Sequence, residues 1–412
     1  MRLRFRHLLL AAVAVACAFV AAPALSAQPY LPEAVDFQQA LPAAEAVAAP
    51  SSRPTHAGAH SKAEGAVSFR TPPVAAPETF DLVGLAGELR EVELRARDTD
   101  GAWSEWIETG NGDPVYFGGA EEVQLRTRGW RPEGTLHYVN VSGTTTAVGG
   151  LLSGLRGAIN SAFISASGTF AAEASAAPTR PGIIPRASWG ADQETGGCAP
   201  RTKPEFGRIK AAAVHHTVTA SDYTEAEAPA IVLGICRYHR NGNGWNDIGY
   251  NALVDRFGNL YEGRAGGLTK AVVGAHAQGF NAQTTGIASI GTHTSQPMMA
   301  AARRATISYL AWKLARHGLS ARGKTTLLSA GGEASRYAAG RRVRTDLVIG
   351  HGAIGLTECP GAALEDGLPR LRRLTQERID DSGGVTPPAT VPPPTGGTGD
   401  VPRRGGAAQG AR

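Results

Sequence analysis

From Phe80 to about Val141 apolar and polar residues alternate with a period of two. Val92, Leu94 and Ala96 alternate with Glu91, Glu93, Arg95 and Arg97. Val123, Leu125 and Thr127 repeat the pattern, and Leu136 to Val141 makes another short strand. Asp98-Thr99-Asp100-Gly101 is a turn signal between them. Short strands separated by turns predict a small antiparallel β module over 78–142. Trp103 and Trp106, just past that turn, are expected to fill its core; stacking on sugar rings is their other conceivable role.

Residues 181–380 follow a different rhythm. Ile209 to His215 reads as an apolar strand, and Glu225 to His239 as a helix with Ile231, Ile235 and Tyr238 on one face. Tyr250–Asp255 and Leu260–Gly263 read as a hairpin around Arg256-Phe257-Gly258-Asn259. Gly286–Gly291 reads as a buried strand, and Met298–His317 as a long helix ended by Gly318. Thr345–Gly350 reads as a further apolar strand. The prediction is an α/β domain, a mixed central β-sheet flanked by helices, preceded by the β module.

Composition sets the boundaries between these units. The 52 Gly and 26 Pro concentrate in stretches without periodicity. Residues 28–77 and 143–180 read as linkers, and 381–412 as a disordered Pro/Gly-rich tail. At 42% hydrophobic residues the chain is not disordered throughout. Residues 1–27 carry three Arg, an apolar run from Leu8 to Val20 and a small-residue end at Ala27, the pattern of a signal peptide. A secreted protein is expected. No other run of 18 apolar residues follows, so no integral membrane segment is expected.

Charge is divided along the chain. Residues 28–180 carry a net −7 and residues 181–380 a net +8. A basic domain favours an anionic partner, whether nucleic acid, membrane or an acidic polymer. Cleavage after Ala27 removes Cys17 and leaves Cys198, Cys236 and Cys359, an odd number in an oxidising space. One thiol is left for another task.

His215 and His351 each end a predicted strand, and Cys359 follows in the loop Thr357-Glu358-Cys359-Pro360-Gly361. Two imidazoles and a thiolate are a donor set zinc takes, with a fourth position open for water. The bland alternative is a pair of hydrogen-bonded histidines at strand ends.

Five segments then occur in a telling order: Val214-His215-His216-Thr217, Gly244-Trp245-Asn246-Asp247-Ile248-Gly249-Tyr250-Asn251, Tyr261-Glu262-Gly263-Arg264, Gly274-Ala275-His276-Ala277, and His351 through Cys359-Pro360-Gly361. Together they closely resemble the peptidoglycan recognition protein family and its relatives, the zinc-dependent N-acetylmuramoyl-L-alanine amidases. The resemblance covers about 183–378 and places the zinc ligands at His215, His351 and Cys359, with His216 outside the set. It implies catalytic roles for Tyr250, which would hydrogen-bond the attacking water or the tetrahedral oxyanion, and for Thr357, which would donate to the scissile carbonyl. It implies a substrate groove with Gly244, Trp245, Arg264, His276 and Asn281. By assigning Cys359 to the metal it also implies a Cys198–Cys236 disulfide. Gly352-Ala353 and Thr292-His293 depart from the usual family residues at those points, which bears on the groove and not on the ligands.

The resemblance therefore implies a zinc amidohydrolase. It would cut the amide between N-acetylmuramic acid and L-Ala of the stem peptide. Gly244-Trp245 with Arg264 implies preference for diaminopimelate-type peptidoglycan. The expected partner is peptidoglycan, with no nucleic acid, and the expected state is a monomer. One rival reading is a peptidoglycan-binding module without catalysis. Another makes Cys359 a disulfide partner and the domain structural.

Overall fold

The structure, a computed structural model, describes residues 34–47, 67–109, 112–141, 177–219 and 221–383. The expected signal peptide, most of the second linker and nearly all of the tail lie outside these residues.

The first unit is an antiparallel sheet of eight strands: β1 (Val35–Ala40), β2 (Glu45–Val47), β3 (Ser68–Arg70), β4 (Val74–Leu85), β5 (Val92–Asp98), β6 (Ile107–Thr109), β7 (Val115–Arg128) and β8 (Thr135–Asn140). The order is β1-β8-β4-β7-β3-β2, with β5 pairing to β7 and β6. Strands β5, β7 and β8 lie where the alternation predicts them. Buried Leu94, Val123, Leu125 and Leu136 share one core with Phe80 and Tyr138.

Two expectations for this region are corrected. Residues 34–47 and 67–77 are not linker throughout, because β1, β2, β3 and the start of β4 fall inside that range. β1 and β2 end the strand order and β3 is only three residues long, so pairing, not periodicity, defines these strands. β1 is held in register by β8, with Phe37 stacked on Tyr138 at 4.9 Å. Trp103 and Trp106 do not fill the core. Both are half-buried, and the Arg95 guanidinium lies between them, 4.6 and 4.7 Å from their ring centres. Cation–π stacking satisfies the rings at the surface.

The second unit is the expected mixed α/β domain. Its elements are β9 (Ala211–His216), α1 (Ala228–Arg237), β10 (Ala252–Val254), β11 (Leu260–Glu262), β12 (Thr284–Ser289), α2 (Ala300–Arg316), β13 (Lys324–Leu328), β14 (Arg342–Asp346), β15 (Val348–Gly350) and α3 (Ala362–Asp381). The central sheet runs β11-β10-β12-β9-β15. Only β10–β11 is antiparallel; β10–β12, β12–β9 and β9–β15 are parallel. The expected strand over 345–350 is in fact two. Its first half belongs to β14, which alternates exposed and buried residues and pairs with β13 as a separate hairpin. Its second half, β15, is wholly buried and joins β9. Helices α2 and α3 cover one face through Tyr309, Leu310, Leu314, Leu364, Leu368 and Leu371.

Helix α1 covers the other face and is itself covered by the β module. Ile231, Leu233 and Tyr238 share a buried cluster with Leu82, Tyr116, Val139 and Val141 of the module. Gly84 makes this approach possible: a Cβ there would stand 2.3 Å from the Tyr238 hydroxyl oxygen. At the rim Arg237 donates to both carboxylate oxygens of Asp36, at 3.0 and 2.8 Å. Cys198 and Cys236 form a disulfide that ties the arm before β9 to α1.

Candidate metal centre

Parallel sheets present functional groups at the carboxyl ends of their strands. Here His215 lies near the end of β9, and His351 directly follows β15, its neighbour. The loop after His351 returns Cys359 to the same place. The ligand atoms of His215, His351 and Cys359 lie within 4.8 Å of one another. His215 turns Nδ1 toward Cys359 Sγ at 3.6 Å, and its ring centre lies 4.5 Å from that of His351. All three residues are buried. Cys359 is the free cysteine among the described residues.

This set fits a zinc ion on its own chemistry. Both ring nitrogens of His351 are buried without a hydrogen-bond partner among the described residues. Burial pushes the His351 pKa down to about 3 and holds that of His215 well below its ordinary value. Both rings are therefore neutral and offer lone pairs, as a metal requires. Burial pushes the Cys359 thiol well up; a cation beside it would favour the thiolate. Cys198, Cys236 and Asp247 also converge, but their two sulfurs are joined at 2.07 Å and offer no thiolate.

His276 is placed differently from expectation. It is 1% exposed, and its Nδ1 lies 3.0 Å from His215 Nε2. Such a bond fixes the tautomer and orientation of a metal-binding histidine. His276 is thus packed behind His215. Room for its ring comes from Gly286 on β12, where a Cβ would stand 2.6 Å from His276 Cγ. Asn281 lies beneath the same loop. Its side-chain oxygen accepts the backbone N–H groups of His276 and Ala277, both at 2.9 Å, so it braces the loop carrying His276. His216 points away from the ligand set, where its Nδ1 accepts the backbone N–H of His293 at 3.1 Å.

Tyr250 stands beside the centre, its ring 5.2 Å from that of His215. Its hydroxyl donates at 2.7 Å to Asp113, a residue of the β module, which also meets His239 Nε2 at 3.0 Å. The sequence reading passed over both partners. Asp113 follows Gly110-Asn111-Gly112, which reads as turn chemistry only, and His239 reads as the last residue of a helix. Thr357 is half-buried, and its Oγ1 accepts the Cys359 backbone N–H at 3.1 Å, so its own proton points elsewhere.

The expected groove residues surround this edge. Gly244 is exposed in a left-handed turn at φ 72°. Trp245 is half-buried and packs on His239 at 4.7 Å. Arg264 reaches the same segment, where Nη1 donates to the Ile248 carbonyl at 3.0 Å.

A family model described as N-acetylmuramoyl-L-alanine amidase matches residues 205–362, a stretch that includes His215, His351 and Cys359. Peptidoglycan-recognition protein SC2 of Drosophila melanogaster is 30% identical over 182 residues, spanning 43% of this chain and 80% of that protein. The chain belongs to the peptidoglycan-recognition protein and N-acetylmuramoyl-L-alanine amidase family. A further family member, the N-acetylmuramoyl-L-alanine amidase of Homo sapiens, is 31% identical over 231 residues, spanning 52% of this chain and 33% of that protein. Among solved structures of the family, peptidoglycan recognition protein-LE in complex with tracheal cytotoxin is 28% identical, with a TM-score of 0.35 over 46% of this chain and 92% of that chain. Among the described residues no helix is long and apolar enough to cross a membrane.

Proposed function

We propose that this protein is an exported, zinc-dependent N-acetylmuramoyl-L-alanine amidase. It would hydrolyse the amide between the lactyl group of N-acetylmuramic acid and L-Ala of the stem peptide. The observation that carries the reading is the convergence of His215, His351 and the free Cys359 within 4.8 Å at the ends of adjacent parallel strands. Export and secretion rest on the sequence of residues 1–27, and association with the cell wall follows from the proposed substrate.

His215, His351 and Cys359 would hold the zinc ion. When bound, zinc polarises a carbonyl and makes water a nucleophile near neutral pH. The chain's own residues do the rest. The His276 contact keeps His215 Nδ1 aimed at the centre. Burial keeps bulk water away from the ligands and strengthens every charge interaction there. Thr357 lies at the accessible side, where its hydroxyl proton serves the carbonyl oxygen as negative charge develops. Tyr250, its ring 5.2 Å from that of His215, would hydrogen-bond the attacking water. Trp245, Gly244 and Arg264 form the edge along which the stem peptide lies, with Arg264 facing a diaminopimelate carboxylate.

The test is digestion of purified peptidoglycan by protein of known zinc content, with mass analysis of the products. Release of stem peptides with free L-Ala amino termini, leaving intact glycan, is expected at one zinc per chain. Binding to peptidoglycan without release would make the chain a recognition module.

A further inference from the structure

We infer that Asp113, supplied by the N-terminal β module, is a positioning residue of the amidase site; the inference rests on the proposed function and deepens it. Asp113 lies in the turn between β6 and β7, outside the stretch the family model matches. It is 7% exposed, and Thr109 Oγ1 donates to its backbone carbonyl at 2.6 Å, tying it to the end of β6. A single oxygen, Oδ1, meets both Tyr250 Oη and His239 Nε2.

The directions of these bonds follow from their other partners. His239 Nδ1 accepts the backbone N–H of Gly249 at 3.1 Å. The ring proton therefore sits on Nε2, which donates to Asp113. One carboxylate thus holds Tyr250 twice, through its hydroxyl and through the histidine that holds the preceding backbone amide. A phenol has one proton. With that proton given to Asp113, Tyr250 Oη has only lone pairs left for the site. Tyr250 is set to accept a hydrogen bond from the attacking water, and donation to the oxyanion falls to Thr357.

The module's arrival is built in. Its buried contact with α1, the Asp36–Arg237 pair and the bond from Asn243 Nδ2 to the Gly112 carbonyl at 2.6 Å hold the turn in place. An apolar, fully buried contact of this kind marks a permanent interface. The site is completed by a unit that lies outside the stretch the family model matches.

The test uses the full chain, with Asp113→Ala and Asp113→Asn made in the wild type and in Tyr250→Phe. A misplaced positioning group costs about 10²-fold in rate. Asp113→Ala is expected to lower kcat by about that factor, with KM and zinc content near wild type. Asp113→Asn, whose carbonyl oxygen still accepts from the phenol, is expected to restore a large part. In the Tyr250→Phe background Asp113→Ala is expected to add little. A readout free of metal comes from protein labelled with 13C at tyrosine Cζ. The Tyr250 resonance, assigned by Tyr250→Phe, is expected to move in both Asp113 variants. Unchanged or raised kcat in Asp113→Ala, fully additive losses, or an unmoved resonance would overturn the inference. A wild type that releases no stem peptide fails the amidase reading itself; the resonance then decides alone whether Asp113 holds Tyr250.

Discussion

Arg237, the last residue of α1, grips Asp36 of β1 through two guanidinium nitrogens, and Asn241 donates to the same carboxylate. Both side chains of the pair are nearly buried, at 10% and 13% exposure. The pair joins the first described strand to the helix behind the candidate metal centre, 201 residues away.

Removing one partner of such a pair strands the other charge. Asp36→Ala is expected to destabilise the protein by about 3 kcal/mol, read as a lower urea midpoint. Replacing both residues by apolar ones should cost less than the single change. A single transition for module and catalytic domain together is also expected, since they share one buried cluster. Two separate transitions, or an unshifted midpoint for Asp36→Ala, would show that the units are independent.

Cys359→Ser tests the ligand set. A serine hydroxyl stays protonated at neutral pH and supplies no thiolate to the cation. Zinc content measured by elemental analysis should fall to a small fraction of one per chain, and hydrolysis should be lost. Chelation of the wild type should have the same effect and zinc should reverse it. A variant with full zinc and normal turnover would remove Cys359 from the set.

Gly286→Ala tests the support behind His215. The new methyl would meet His276 Cγ at 2.6 Å, deep in a parallel sheet where neither backbone can yield. The His276 ring must move and its bond to His215 goes with it. Loss of such an outer partner lowers metal affinity by about 10–100-fold, read by competition with a zinc indicator. Gly182→Ala, where a Cβ meets nothing within 4 Å, serves as the control. Equal affinities in the two variants would leave His276 a packing residue.

Much of this was legible in the chain. Alternation placed β5 and β8, and a helical stripe placed α1. The ordered motifs pointed to His215, His351 and Cys359, which the fold brings within 4.8 Å, because residues at strand ends keep their local signatures. What escaped was set by long-range pairing. β1 has no strong periodicity and exists because β8 offers it an edge. His276 sits in a motif that marks the site, with Asn281 four residues beyond its end, yet the motif does not say which side of the sheet a ring takes; Gly286 decides that. Asp113 lies in a turn whose residues announce only a turn, and it meets a tyrosine 137 positions later.

The last expectation concerns the stem peptide. Diaminopimelate differs from Lys by one carboxylate, which a guanidinium can hold through two parallel hydrogen bonds. Arg264 makes no ion pair within 4 Å among the described residues, although the charges of Asp247 and Glu205 act on it; its hydrogen bonds go to the main-chain carbonyls of Asp247 and Ile248. The nearby Asp247 carboxylate is taken up by Arg186 at 3.2 Å and by the backbone N–H groups of Ile248 and Ala265, each at 2.8 Å. Arg264 is thus without a close carboxylate partner among the described residues, and its carbonyl contacts fix its direction. Wild-type protein is expected to turn over diaminopimelate-type muropeptides faster than Lys-type ones. Arg264→Val should abolish that preference, and Arg264→Lys should keep only part of it, since an ammonium lacks the planar fork. Because Arg264 also braces the 244–249 segment, turnover of the Lys-type substrate reports any general damage. Equal turnover of both substrates by the wild type, or a preference that survives Arg264→Val, would refute the assignment.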